Sequence, residues 1–408
     1  MEAYRIAWRN LWRNRTRTLI TMASIVFCSA TLIMADGLTR GMVSDLEHNV
    51  TQLFSGEAQI HAEKYRRERS IFQTVELDAD TLSALETQGI EVVPRLFGFG
   101  LVSNGPKSAG GAFWGIDPEK ESATFELANY VDKGRFVTAA DEGGVVIGRK
   151  LAKILNVGVG DELIVVVEAA DGSIGAELYR VSGILKSVAD GVDRTVVLMN
   201  ERDYRELFSL YGNQFHEFAV NTKGEMVLDD LSATIKQFVP DHETKTWKEL
   251  TPALAEMTEM ANNAIVIILA IFGLAAALGV ANTVLMSTYE RMWEFGVLKA
   301  VGTRPRSIVA GVARETGLLA LFGCILGAVA GIVGSHYLTV VGIDITAYSD
   351  GLSMEGVAFN PIIRADLSLA AAAAGVSGLW LLCLIAAFFP AYSAARMDPL
   401  DAMRKGDM

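Results

Sequence analysis

Four long apolar runs constrain this chain before any other feature does. They are Leu19 to Leu38, Ala264 to Met286, Thr316 to Val341 and Leu367 to Phe389. A helix of about 18 to 20 apolar residues crosses a hydrocarbon core about 30 Å thick. The second and fourth runs hold 23 residues each, which at about 1.5 Å per residue is about 35 Å, enough to span with some tilt. With 51% hydrophobic and 21% charged residues over 408 positions, the chain reads as a polytopic α-helical membrane protein rather than a large soluble core. A basic stretch of Arg5, Arg9, Arg13, Arg15 and Arg17 precedes the first run, as it would in a signal peptide. That run lacks a small-residue cleavage site and exceeds the usual apolar segment of about 7 to 15 residues, so an uncleaved anchor is expected.

Charge sets the expected orientation, because short loops rich in Lys and Arg stay in the cytoplasm. Residues 1–44 carry net +4, the 290–315 loop net +2 and the 339–366 loop net −3. Both termini are therefore expected inside, with residues 45–260 outside as one insertion between helices 1 and 2. That insertion carries net −15, so the whole-chain −12 hides a basic inner face. Nucleic acid is excluded as a partner, since phosphate binding needs a basic footprint. Tyr4, Trp8, Leu11 and Trp12 share one helical face and Arg5, Arg9 and Arg13 another, the pattern of an interfacial helix on the inner leaflet. Arg314 and Glu315, near the inner headgroups, read as a snorkelling pair. Cys28, Cys324 and Cys383 sit in apolar runs, and the five histidines are scattered without an HExxH pair. Neither a disulfide framework nor a metal site is expected.

Within the insertion, period-2 alternation predicts strands at Ala58 to His61, Val145 to Ile147, Leu163 to Glu168, Leu178 to Ile184 and Thr195 to Met199. The Asp171-Gly172 pair marks a hairpin between the third and fourth. Apolar periodicity predicts helices at Asp78 to Gln88, Arg149 to Leu155 and Val227 to Phe238. The result is an α+β domain, with a candidate boundary between two lobes near Glu201 to Gly212. Gly105-Pro106-Lys107-Ser108 nearly spells a P-loop, but Pro106 separates the Gly and Lys that the motif keeps adjacent, so a turn is expected.

The most informative stretch is Tyr289 to Arg306. Glu290 and Glu294 stand one turn apart, while Phe295, Leu298 and Val301 offer an apolar surface. Gly302 suits a helix C-cap and Pro305 the first turn of the next helix. Small residues recur at spacing four on three of the long helices: Gly323, Gly327 and Gly331, then Gly273, Ala277 and Ala281, then Ala370, Ala374 and Gly378. Such faces let helix backbones approach closely, within one chain or between two.

Glu294-Phe295-Gly296-Val297-Leu298-Lys299-Ala300-Val301-Gly302 resembles the signature of FtsX-like and MacB-like (type VII) ABC transporter permeases. Pro390-Ala391-Tyr392-Ser393-Ala394-Ala395-Arg396-Met397-Asp398-Pro399-Leu400-Asp401-Ala402-Met403-Arg404 resembles that family's C-terminal motif, and Ala7-Trp8-Arg9-Asn10-Leu11-Trp12-Arg13-Asn14-Arg15-Thr16-Arg17-Thr18-Leu19 its opening. Val146 to Ala152 and Val159-Gly160-Asp161 resemble its extracytoplasmic core domain. The layout is closest to the lipoprotein-releasing permeases of the LolC/LolE type, and the resemblance covers nearly the whole chain.

The resemblance implies four transmembrane helices with a large α+β extracytoplasmic domain between helices 1 and 2. Its segments are an interfacial helix at 1–16, helix 1 at 17–44, the core domain at 45–260, helix 2 at 261–288, a coupling helix at 289–305, helix 3 at 306–341, an external loop at 342–366, helix 4 at 367–390 and a cytoplasmic tail at 391–408. It also implies that Glu290, Arg291, Glu294, Phe295, Gly296, Leu298, Lys299 and Gly302 couple to a separate cytoplasmic ABC ATPase dimer, on which ATP and Mg would be bound. This chain would then hold no cofactor and no catalytic residue. A second permease chain, membrane lipids, a lipophilic or lipoprotein cargo and a periplasmic carrier complete the implied partners, in a bacterial inner membrane. The lipoprotein-releasing group carries a long extension between two strands that recruits the carrier, whereas the matching hairpin here, Glu168 to Glu177, is short. The other members of the family imply a MacB-like efflux component or an FtsX-like regulator of cell-wall hydrolases.

Overall fold

A computed structural model describes residues 2–186, 190–344, 353–354, 357–358 and 362–396. Two compact units emerge. One comprises residues 1–44, 258–345 and 362–408, the other residues 45–257 with 346–361.

The first unit is built on four helices long and apolar enough to cross a membrane. After a short helix α1 (Glu2–Leu11) come α2 (Arg15–Val50), α3 (Pro252–Glu290), α4 (Met292–Ala300), α5 (Pro305–Val340) and α6 (Leu369–Arg396). The first two apolar runs underestimate their helices at both ends, the third only at its start and the fourth only at its end, because backbone hydrogen bonding continues past the point where side chains turn polar. Thus α2 continues unbroken beyond Ser44, the last residue of this unit in that stretch, and α3 begins at Pro252, ahead of it. Pro390, which follows directly on the fourth apolar run, lies inside the helix rather than ending it. Residues 397–404, which carry the end of the C-terminal motif, and most of the 342–366 loop lie outside the described residues. At the base of that loop, Ile343–Asp344 pairs antiparallel with Ile362–Ile363.

The bundle core joins Ile25 and Cys28 of α2, Val280 and Val284 of α3, Ala320 and Cys324 of α5, and Leu379 and Cys383 of α6. All three cysteines are buried and free. Gly323, Gly327 and Gly331 each face α2 of the same chain. A Cβ on Gly323 would meet Ile25 at 2.8 Å, on Gly327 Ser29 Oγ at 1.7 Å, and on Gly331 Ile33 at 2.9 Å. Only glycine permits that approach. Gly273 is similarly closed by Leu382 at 2.9 Å, Ala277 is buried, Ala281 is half-buried, and on α6 Ala370 and Ala374 are exposed and Gly378 half-buried. Polar groups in a lipid environment must find partners within the protein, since the hydrocarbon offers none. Two such groups pair across the bundle: Thr21 bonds Thr283 at 2.7 Å, and Trp380 Nε1 donates to the Gly317 carbonyl at 3.1 Å.

The second unit is an α+β domain on one ten-stranded mixed sheet. Its strands are β1 (Ala58–His61), β2 (Glu91–Asn104), β3 (Lys107–Ile116), β4 (Val131–Gly134), β5 (Gly144–Ile147), β6 (Glu162–Glu168), β7 (Ile174–Leu185), β8 (Val196–Asn200), β9 (Glu217–Asn221) and β10 (Glu243–Thr246). The order is β10-β1-β9-β2-β3-β8-β5-β7-β4, with β6 bridging β2 and β7. Each of the five strands expected from alternation is present. The expected helices appear at Ala79–Thr87, Arg149–Leu155 and Leu228–Phe238. The sheet is continuous, and Glu201–Leu207 of the expected lobe boundary is a helix packed beside it.

Strand β2 organises this domain. Its residues 96 and 102 enter the main core with Ile60, Phe113 and Phe218. The opposite face carries Arg95, fully buried, whose guanidinium bonds Glu121 at 2.6 and 3.1 Å and approaches Glu217 at 3.7 Å. Burial opposes the Arg95 charge, but the two carboxylates outweigh it and hold its pKa above the ordinary value. Burial pushes the Glu217 carboxyl up despite Arg95. The near P-loop is the two-residue turn of the β2–β3 hairpin, with Asn104 paired to Lys107 and Gly105 at φ 58°. A positive φ at that position matches the right-handed twist of the flanking strands.

Candidate functional site

The segment between α3 and α5 forms the helix the sequence called for. α3 ends at Glu290, α4 runs Met292–Ala300, Gly302 follows at φ 98°, and Pro305 opens α5 with Arg304 at its N-cap. A left-handed residue just past a helix end is where glycine is favoured.

The geometry divides the expected coupling residues into two sets. Phe295 and Gly296 face inward. Phe295 is 6% exposed and belongs to the bundle core, so it cannot form the outer apolar surface that the sequence reading gave it. Arg291 also turns inward. Its Nη1 donates to Glu315 at 2.7 and 2.9 Å, its Nε to Glu294 at 3.1 Å, and its guanidinium lies 5.2 Å from the Phe295 ring centre. Glu315 therefore pairs with Arg291, not with Arg314 as a snorkelling pair, and it also accepts from Asn10 Nδ2 at 2.6 Å. Lys299 Nζ donates to the Ala395 carbonyl at 3.1 Å, tying α4 to the end of α6. Glu290 and Glu294, one turn apart, are held by Arg17 and Arg13: Arg17 Nη1 donates to Glu290 at 3.0 Å and Arg13 Nη1 to Glu294 at 2.6 Å.

Leu298 and Gly302 point outward, joined by Trp293 (55% exposed) and Val301 (83% exposed). The result is a short helix braced from behind by ion pairs, with an uncovered apolar face in front. Trp293 was the residue sequence reasoning missed on this face. Its signal was available, since it stands eight residues before Val301, a same-face spacing on a helix. α1 also departs from expectation. Trp8 packs on Phe322 of α5 with ring centres 5.1 Å apart, and Asn10 reaches Glu315. The helix thus packs against α5 instead of meeting only lipid, although Ile6, Arg5 and Arg9 remain exposed. The side chain of Tyr4 lies outside the described residues. Among the described residues, no group of three or more His, Cys, Asp or Glu is placed to hold a metal ion.

Four apolar helices, a braced helix in the second connection and a large α+β insertion in the first define a membrane permease with an extracytoplasmic domain. The profile of the MacB-like periplasmic core domain matches residues 18–238, more than half of the chain, and that of the FtsX-like permease C-terminal region matches residues 266–399. The chain belongs to the MacB/FtsX-type ABC transporter permeases. An uncharacterized ABC transporter permease of Methanocaldococcus jannaschii is 25% identical over 98% of this chain and 96% of its own length. A pyoverdine export ATP-binding/permease protein of Pseudomonas entomophila is 25% identical over 99% of this chain, which spans 59% of that longer protein. A lipoprotein-releasing system transmembrane protein LolC of Xylella fastidiosa is 20% identical over 71% of this chain and 72% of its own length.

Proposed function

We propose that this chain is the permease subunit of an inner-membrane ABC transporter, with both termini in the cytoplasm, and that it uses ATP-driven motion to release or expel a lipophilic or lipoprotein cargo. A cytoplasmic ATPase dimer binds ATP and Mg, and a second permease chain completes the assembly. α4 docks on the ATPase through Trp293, Leu298 and Val301. The single observation that carries this reading is the bracing of α4. Arg291, Glu294 and Lys299 fasten its rear to α5, to the turn that joins α1 and α2, and to α6, so a push on its front moves those elements with it. α2 and α3, each continuous across a unit boundary, are suited to pass such motion to the extracytoplasmic domain. The turn from Glu168, the last residue of β6, to Ile174, the first of β7, is short, which favours expulsion without a carrier protein docked on an extended hairpin.

The test is ATPase docking. Trp293→Ala combined with Val301→Asp should weaken co-purification of the partner ATPase by about tenfold or more, as expected when an exposed aromatic anchor is lost, while thermal stability of the permease stays unchanged. Undiminished association and ATP hydrolysis in that variant would overturn the docking face.

A further inference from the structure

The charged face of β2 leads into a pocket. Its volume is about 590 Å³, inside the range of about 300 to 1,000 Å³ typical of small-molecule sites. The floor follows from strand register. Phe97 and Phe99 share a face of β2 with Arg95, Trp114 pairs opposite Phe97, and Ala112 opposite Phe99. Phe97 and Trp114 meet edge to face with ring centres 5.1 Å apart. Val50, Val192 and Leu250 add apolar wall. At one end lie Arg66 and Arg69, on and just after the short helix Tyr65–Glu68.

Charge at that end is unbalanced. The cluster holds three guanidinium groups, Arg66, Arg69 and Arg95, against two carboxylates, Glu121 and Glu217. Glu121 is committed to Arg95 in a bidentate pair, and Glu217, which also lines the pocket, is shared: it lies 3.7 Å from Arg95, accepts from Gln59 Nε2 at 3.2 Å and is attracted by Arg66 and Arg69 as well. Neither Arg66 nor Arg69 forms an ion pair among the described residues. Arg66 reaches Gln59 Oε1 at 3.5 Å. The apolar floor does not end at the pocket either. On the same face of the sheet, Phe99 and Leu101 are exposed and continue onto Ile164 and Leu178 across the paired strands β6 and β7. An uncovered apolar track of this kind marks a binding surface.

We propose that this pocket binds a single anionic amphiphile. Its carboxylate, sulfonate or phosphate head sits on Arg66 and Arg69, and its apolar body lies along Phe97, Trp114 and Phe99 toward Leu101. Planar guanidinium groups recognise such heads through paired, charge-assisted hydrogen bonds, and the aromatic floor supplies contact area without directional demand. This assigns a substrate class to the extracytoplasmic domain. It rests on the permease reading for the statement that the occupant is cargo, whereas binding itself does not depend on an ATPase.

The experiment uses the full chain in nanodiscs of phosphatidylcholine, which carry no net anionic lipid. A long-chain fatty acid bearing a diazirine is added, with the matching fatty alcohol in parallel, and labelled peptides are mapped by mass spectrometry after illumination. The acid should label the peptides containing Phe97–Phe99 and Ala112–Trp114. Arg66→Gln with Arg69→Gln should reduce that labelling by about tenfold or more, given the strength of hydrogen bonds to charged groups, and leave labelling of the membrane helices unchanged. Arg66→Lys with Arg69→Lys should retain the larger part of it, and the alcohol should label the pocket only at the reduced level in every variant. Pocket labelling in the Gln variant within about twofold of the wild type, or acid labelling confined to the membrane helices, would overturn the proposal. Failure of ATPase docking leaves these outcomes untouched, so the two readings fail separately.

Discussion

Replacing Arg291 with Gln should cost the membrane unit about 3 kcal/mol, because removing one member of a buried ion pair leaves the other without its counter-charge. The side chains of Arg291 and Glu315 are 14% and 15% exposed. Glu315 would keep its hydrogen bond from Asn10, which places the cost at the low end of the range of about 3 to 5 kcal/mol for such losses. Glu315→Gln should cost a similar amount. The double replacement should cost little more than either single one, a coupling of about 2 to 3 kcal/mol, as expected for groups in one network. Equilibrium unfolding of the detergent-solubilised permease measures the stabilities, and ATP hydrolysis by the assembled complex measures coupling. Glu315 lies within α5, so it affects docking only through the position of α4. Both single variants should therefore lose coupling together. Loss of coupling in Arg291→Gln with full coupling in Glu315→Gln would make Arg291 a direct ATPase contact and refute the brace. Strictly additive stability costs would refute it too.

Gly327→Ala should destabilise the bundle by about 1 to 3 kcal/mol through overpacking, since its Cβ would stand 1.7 Å from Ser29 Oγ. Gly378→Ala, which meets nothing within 4 Å, should stay within about 0.5 kcal/mol of wild type; equal melting temperatures for the two would remove the close-packing argument. The extracytoplasmic domain should lose stability as the pH falls from about 6.5 to 4. Burial lowers the His216 pKa from 6.5 to about 4, so the unfolded chain takes up a proton that the folded one refuses. The effect reaches about 3 kcal/mol below pH 4, is absent above the unfolded pKa, and should shrink in His216→Gln; an unchanged pH profile of unfolding in that variant would contradict it. Protease added to intact spheroplasts should cut within residues 45–257, and protection of that whole stretch would overturn the proposed orientation.

The fold was legible where local pattern and tertiary demand agree. Apolar length dictates a spanning helix whatever its neighbours, because lipid leaves backbone groups no other partner. Alternation at Leu163 to Glu168 and the Asp171-Gly172 turn likewise gave a hairpin directly. Strand β2 escaped, although it is the longest in the sheet. Gly98 and Gly100 interrupt its alternation, and their reason is remote: a side chain at Gly98 would strike the Phe208 ring at 2.5 Å, and one at Gly100 the Val166 carbonyl at 2.6 Å. Residues 217–221 of β9 escaped for a related reason: Phe218 and Val220 alternate with Glu217 and Asn221, polar ends that are buried only because Arg95 and Gln59 meet the first and Gln52 the second.

At the candidate site, the sequence alone determined that a short helix with a glycine end and a proline restart lies between the second and third apolar runs. Spacing along the chain fixes those features. Which face of that helix looks outward was decided only in three dimensions. Phe295 and Trp293 are two residues apart and both large and apolar, yet one enters the bundle core and the other stays exposed. The choice depends on where Arg291 finds Glu315, 24 residues away, and where Glu294 finds Arg13, 281 residues away. Local periodicity sees neither partner. The same holds for Arg66 and Arg69, unremarkable surface charges in sequence, which acquire a ligand-sized neighbourhood only when β2 and β3 bring Phe97, Phe99 and Trp114 beside them.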